Sequence, residues 1–305
     1  MKSILILILI GLLIVNVVLL ALVLTAVFKS SCTRRVRKLP GSRIVGGLRI
    51  SNIGHFPYMA ALIVIKQDDL TDDLPDDTLQ CGASIISRVW ALTAAHCILL
   101  LKEFPRHAVR VSAGSIYWTK GHRHRIDNWI YHPRYHKNTM VNDIAMVKVK
   151  DPFNKKNEAN IPIASPTYSL KVNRKVRVLG WGYSDPSSQE PQSALHFVDV
   201  FVIKHSVCKH MYEQQLKITI GESHLVSTSM FCAGVKEGGK DACQFDSGGP
   251  IIDTGLLIGI VSWGLGCGVQ NQPGVYTRIN LYKEWIMTTS KKYKAPLIFK
   301  AVSKN

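Results

Sequence analysis

Gln244-Phe245-Asp246-Ser247-Gly248-Gly249-Pro250 is the stretch on which the reading of this 305-residue chain turns. A serine between an acid and two glycines, closed by a proline, dictates a tight turn that exposes the hydroxyl. The same turn aims backbone N–H groups at one point, which acyl transfer needs for the oxyanion of its tetrahedral intermediate. Outward from it the pattern is one of short strands. Apolar or β-branched runs recur at 59–65, 83–86, 109–112, 144–149, 176–179, 197–203, 251–252 and 256–263. Turn signals separate them, which predicts an all-β barrel or sandwich. From Ile44 onward, helices are expected at 94–101 and 281–290, the latter with Tyr282, Trp285 and Ile286 inward.

Two further motifs belong beside the serine turn. In Leu92-Thr93-Ala94-Ala95-His96-Cys97, small residues surround one histidine, next to a cysteine able to pin the turn. In Asn142-Asp143-Ile144-Ala145-Met146 an acid opens an apolar strand. A carboxylate buried there costs several kcal/mol unless it has a partner, and a histidine N–H is one. Singly, each motif has an ordinary explanation: a turn, a packed histidine, a capping acid.

Together, in the order histidine, aspartate, serine, they make the chain resemble the chymotrypsin/trypsin serine peptidases over residues 44 to about 286. The resemblance implies an all-β fold of two packed six-stranded antiparallel barrels with a short C-terminal helix, and the apolar run at 4–28 is expected to precede it as an N-terminal hydrophobic helix. It implies peptide-bond hydrolysis with neither cofactor nor metal. Ser247 would be the nucleophile, His96 the general base and then acid, and Asp143 the group that orients the imidazole. The N–H groups of Phe245 and Ser247 would form the oxyanion hole. Gly180-Trp181-Gly182 and Ser262-Trp263-Gly264 match the family framework, the latter as the strand that pairs with substrate backbone. The implied disulfides are Cys81–Cys97, Cys208–Cys232 and Cys243–Cys267. The family's interdomain bridge is absent, since Val176 and Asp253 stand in its place.

Specificity follows from Asp241, where trypsin-like members put an acid at the pocket floor, with Gly264 and Gly274 leaving the walls open. The substrates implied are proteins or peptides with a basic residue before the cut. Ala242 replaces a hydroxyl that many relatives carry there. Lysine's ammonium loses an acceptor while guanidinium still forks onto Asp241, so arginine is expected over lysine by about tenfold. Phe245 stands where the family usually has glycine. A positive φ there would strain it by roughly 1–2 kcal/mol, and its ring would face the leaving-group side and hinder protein inhibitors. Activation is implied by Arg43-Ile44-Val45-Gly46-Gly47: a cut after Arg43 frees an ammonium on Ile44 to pair with Asp246.

Residues 4–28 form an apolar run long enough to span a bilayer, interrupted only by Gly11, Asn16 and Thr25. Lys29, Arg34, Arg35, Arg37 and Lys38 follow it, which for a retained anchor favours a cytosolic downstream domain. Six cysteines in that domain read instead as disulfides of a secretory protein, and cleavage near Thr25 removes the conflict. We therefore favour a cleaved signal peptide over a signal-anchor for 1–28. A basic propeptide or linker is expected at 29–43, the peptidase domain at 44–290 and a basic tail at 291–305. The protein is then secreted, or membrane-anchored through 4–28. Cys32, the seventh cysteine, has four readings: lipidation, an intermolecular bridge, loss with the leader, or a free thiol.

Formal net charge is +17, and residues 1–43 hold seven basic and no acidic residues, leaving 31 basic against 21 acidic. No stretch interleaves aromatics with Lys and Arg, so nucleic acid is not an expected partner. The surplus fits solubility or an anionic surface such as a glycosaminoglycan or lipid headgroups. Asp68, Asp69, Asp72, Asp73, Asp76 and Asp77 crowd one loop without the ligand order of a calcium hand, and read as solvated. Gly121-His122-Arg123-His124-Arg125 reads as an exposed basic loop rather than a metal site. The rival readings are a catalytically impaired homologue that acts by binding, and a basic surface-binding module.

Overall fold

The computed structural model describes residues 45–66, 77–185, 187, 188, 190–219 and 226–297, without the side chains of 215–219. The apolar run, the linker with Arg43 and Ile44, and the acidic loop up to Asp76 lie outside these residues. Among the described residues no helix is long and apolar enough to cross a membrane.

Two antiparallel barrels account for the strands. The first is built from β2 (Met59–Val64), β3 (Thr78–Ile85), β4 (Trp90–Thr93), β5 (Val109–Ala113), β6 (His122–Tyr131) and β7 (Ala145–Val149), closed in the order β2-β3-β4-β7-β6-β5. The second uses β8 (Lys175–Gly180), β9 (His196–Ile203), β10 (Met230–Gly234), β11 (Pro250–Asp253), β12 (Leu256–Trp263) and β13 (Gly274–Arg278). Its order is β9-β10-β13-β12-β11-β8, and β8 returns to β9. Closure leaves no open sheet edge, the usual liability of β proteins. The short β1 (Leu48–Arg49) pairs with Phe197 and His196 of β9, tying the start of the domain to the second barrel.

The apolar runs end up where their composition demands. All six residues of β2 are buried, as are all four of β4. Full burial of one large aliphatic side chain contributes about 1.5–3 kcal/mol. The buried indoles also place their polar ends: Trp90 Nε1 donates to the Ala295 carbonyl (2.7 Å) and Trp181 Nε1 to that of Ile116 (2.8 Å). The second of these crosses between the barrels, as does the Gly82 N–H, which donates to the Ser247 carbonyl at 2.8 Å.

Among the described residues three α-helices accompany the barrels: α1 (Ala95–Leu101), α2 (His205–Thr219) and α3 (Lys283–Lys292). The first and last were expected. The third runs through Lys292, and the chain beyond it still packs, since Ala295 receives Trp90. Helix α2 was not expected, because among its described side chains the buried stripe is Cys208 and Tyr212 on an otherwise polar surface. The disulfide Cys208–Cys232 and a Tyr212 hydroxyl bond to the Pro273 carbonyl (2.5 Å) hold it down.

One expectation is overturned. His122 to Arg125 is not an exposed basic loop but the opening of β6. Strand pleating sends Arg123 and Arg125 outward, the latter onto Asp151 (Nη2 to Oδ1, 2.7 Å), while His124 turns in and is buried.

Candidate active site

His96 is the second residue of α1, and Asp143 lies two residues before β7. Asp143 is fully buried and is met by three donors: the His96 N–H on Oδ1 (2.9 Å), His96 Nδ1 on Oδ2 (2.8 Å) and the Ser262 hydroxyl on Oδ2 (2.6 Å). A carboxylate so placed keeps the imidazole proton on Nδ1 and leaves Nε2 as the basic nitrogen. The backbone is fixed as well, since Thr277 donates to the Asp143 carbonyl at 2.7 Å. Asn142, at φ 58°, is held by bonds to the Arg134 carbonyl and from Tyr282. Ser262 reaches across the barrels because β12 is irregular against β13 between Val261 and Trp263, which re-aims the residue between them.

Ser247 sits on the turn between Cys243 and β11. Its carbonyl is tied to Gly82, and Gly248 lies against Thr93 and Ala94, just before His96. His96 Nε2 is 3.6 Å from Cys97 Sγ and, among the described residues, makes no hydrogen bond to Ser247 Oγ. Catalytic hydrogen bonds are often long until substrate is bound. Cys81, Cys97 and His96 cluster, but both sulfurs are consumed by a disulfide and offer no thiolate to a metal.

Phe245 has φ 71° and Gly248 φ 79°, so the turn does require the left-handed region at a non-glycine residue. The Phe245 ring packs edge-on against Tyr183, with centroids 5.3 Å apart. Among the described residues the N–H groups of Phe245 and Ser247 have no protein acceptor. Between them Asp246 is fully buried and accepts from Gly182 N (2.7 Å) and Cys243 N (2.9 Å). A methyl group on Gly180 or Gly182 would collide with this carboxylate, which explains the Gly-Trp-Gly framework. Among the described residues no cation pairs with Asp246, and burial raises its pKa to about 7.

A pocket of about 200 Å³ opens beside Ser247, lined by Asp241, Ala242, Ser262, Trp263, Gly264 and Gly274 among others. Asp241 is 3% exposed and accepts from Ala242 N (2.8 Å) and Gly268 N (3.1 Å). Burial raises its pKa to about 7 against the pull of these donors. At Gly274 a Cβ would lie 2.8 Å from Asp241 Oδ1, so any side chain there would cover the anion. Phe245 and Tyr183 do not line this pocket. The disulfides Cys81–Cys97, Cys208–Cys232 and Cys243–Cys267 are all formed, the last at the pocket mouth.

The structure thus gathers His96, Asp143 and Ser247 at one cleft and the pocket residues beside them, while Arg43 and Ile44 lie outside the described residues. Sequence reasoning missed Tyr276, Gln244 and Tyr183. Tyr276 shares a face of β13 with Gly274, a period-2 relation that was legible, and among the described residues its buried hydroxyl has no hydrogen-bond partner.

The family model described as Trypsin matches residues 44–286. Trypsin V-B of Rattus norvegicus is 39% identical over 212 residues, 68% of this chain and 79% of the relative. Trypsin-3 of Salmo salar is 36% identical over 211 residues, 68% and 82% of the two chains. Trypsin alpha of Drosophila melanogaster is 33% identical over 249 residues, 81% of this chain and 88% of the relative.

Proposed function

Because the chain belongs to the trypsin family of serine peptidases, we propose that it is a secreted endopeptidase, made as a zymogen, that cuts after arginine and less well after lysine. One observation carries this reading: a buried anion, Asp241, at the end of a pocket that opens on Ser247. A neutral side chain entering the pocket would leave that carboxyl unpaired, whereas a cation compensates it. Ala242 offers no hydroxyl to a lysine ammonium, and a guanidinium can fork onto Asp241 directly.

In the reaction Ser247 Oγ attacks the carbonyl carbon as His96 Nε2 takes its proton. Asp143 holds the ring and stabilises the imidazolium, and the Phe245 and Ser247 N–H groups receive the oxyanion. His96 then protonates the leaving amine, and water repeats the sequence on the acyl-enzyme. Cleavage after Arg43 supplies the Ile44 ammonium as counter-charge to Asp246 and so orders the turn.

The apolar run before the domain and the three disulfides support a secretory route. The charge surplus supports contact with an anionic surface. The Phe245 ring, packed edge-on against Tyr183 outside the pocket, supports hindrance of protein inhibitors on the leaving-group side.

Matched arginyl and lysyl peptide amides, offered to protein cut after Arg43, test the reading. Arginine is expected to win by about tenfold, with Ser247→Ala inactive on both. Equal rates would remove the arginine preference. A cut protein that leaves both peptides intact and takes no fluorophosphonate label would instead be a binding homologue.

A further inference from the structure

The opening of β6 carries chemistry that the catalytic site does not use. His122 and His124 are two residues apart on one strand, so pleating directs both rings to the same face. Both address one oxygen: His122 Nδ1 lies 2.8 Å and His124 Nε2 3.0 Å from Glu158 Oε1. The Glu158 and His124 side chains are 0% and 2% exposed, while that of His122 is 46% exposed. His124 is seated by Phe153, with ring centroids 4.6 Å apart.

The partners of His124 decide what the cluster is for. Its Nδ1 lies 2.7 Å from the Asp151 carbonyl, which can only accept, so Nδ1 carries the proton. In the neutral ring Nε2 is then the lone-pair nitrogen, and it faces a carboxylate oxygen. Two acceptors at that distance require a cation between them, either a proton or a metal ion.

We propose that His122, His124 and Glu158 form a zinc site. Two imidazole nitrogens and one carboxylate, with a fourth position open to water, are an established ligand set for zinc. The nitrogen donors select against calcium and magnesium, which take oxygen. The outer partners are those that metal ligands have: the His124 Nδ1–H donates to a carbonyl, and Glu158 Oε2 is held by the Lys155 N–H at 2.8 Å. Gly114, at φ 80°, keeps the mouth open, since a Cβ there would sit 2.9 Å from His122 Nδ1. As the rings stand the three ligand atoms do not all lie within 4.8 Å of one another, so closing on one ion requires the exposed His122 ring to swing toward His124. The bound ion then clasps β6 to the Lys155–Glu158 turn, within the first barrel and apart from the peptidase chemistry.

Calorimetric titration of chelator-stripped protein with zinc chloride tests the site. One ion per chain is expected, bound at least tenfold more weakly by His122→Ala and by Glu158→Gln, with no heat from calcium chloride. Zinc should raise the melting temperature of the wild type and not that of His122→Ala, whose cooperative unfolding reports that the fold is intact. His96 is partly exposed and can take zinc by itself, so His96→Ala is titrated in parallel and should keep the site. No zinc uptake, equal affinity in His122→Ala, or loss confined to His96→Ala would each overturn the proposal.

Discussion

Ser262 donates its hydroxyl to the same oxygen of Asp143, Oδ2, that receives His96 Nδ1, at 2.6 and 2.8 Å. One carboxylate oxygen therefore both orients the His96 imidazole and anchors a strand of the second barrel. Removing the hydroxyl in Ser262→Ala takes away one hydrogen bond to a buried charge, a group of interactions worth about 1.5–3 kcal/mol. Asp143 keeps its two contacts with His96, so the loss should sit at the low end. Turnover of a small arginyl substrate is expected to fall about tenfold with KM little changed, measured by steady-state kinetics. An unchanged turnover would show that His96 alone positions the acid.

Asp241 predicts a pH-dependent pocket. Burial raises its pKa to about 7, so in the free protein the group becomes protonated as pH drops through that value. A bound cation requires the carboxylate, and its affinity must fall as pH drops below about 7, by up to tenfold per pH unit. Benzamidine binding between pH 5 and pH 9, followed by calorimetry, reads this without involving turnover. Asp241→Asn should bind weakly at every pH. Affinity independent of pH would mean that the carboxyl is ionised throughout.

How far these sites could be read beforehand depended on how local their determinants are. Ser247, His96 and Asp143 each stand in a short motif of small or apolar neighbours, because the turn and strand that aim them are built from those neighbours. Strands such as β2 and β12 were legible from continuous apolar runs. The opening of β6 was not, because its inward residue is a histidine whose partners, Asp151 and Glu158, lie 27 and 34 residues away. Helix α2 hid for a similar reason, since among its described side chains the hold is a disulfide and one tyrosine. The contact of Tyr183 with Phe245 is likewise a product of the tertiary fold, 62 positions apart in sequence.

Phe245 carries a left-handed backbone that glycine would adopt without strain. Phe245→Gly relieves roughly 1–2 kcal/mol of strain but loses the ring's packing on Tyr183. The two oppose each other, so stability in urea should change by less than about 1 kcal/mol. Inhibition should change far more. The ratio of the inhibition constant for a protein inhibitor of trypsins to that for benzamidine is expected to drop at least tenfold in the variant, because only the larger ligand meets the ring. An unaltered ratio would remove the ring from the leaving-group path.

The proposed activation would be tied to pH through Asp246. Burial raises its carboxyl to about 7 from an ordinary value of 3.8. The folded, uncut chain thus holds a proton that the unfolded chain has released between about pH 4 and pH 7. Stability must fall as pH rises through that window. Asp241 adds a slope of the same sign in cut and uncut protein alike, so the difference between the two forms isolates Asp246. On the proposed activation, a cut would place the Ile44 ammonium beside Asp246, favour the carboxylate and draw its pKa back down, and the slope should flatten. Urea midpoints of the Ser247→Ala protein, cut and uncut, at pH 5 and pH 8 measure both slopes. Asp246→Asn should flatten the uncut chain without any cleavage. Parallel slopes in the cut and uncut forms would show that no new charge reaches Asp246 when the chain is cut after Arg43.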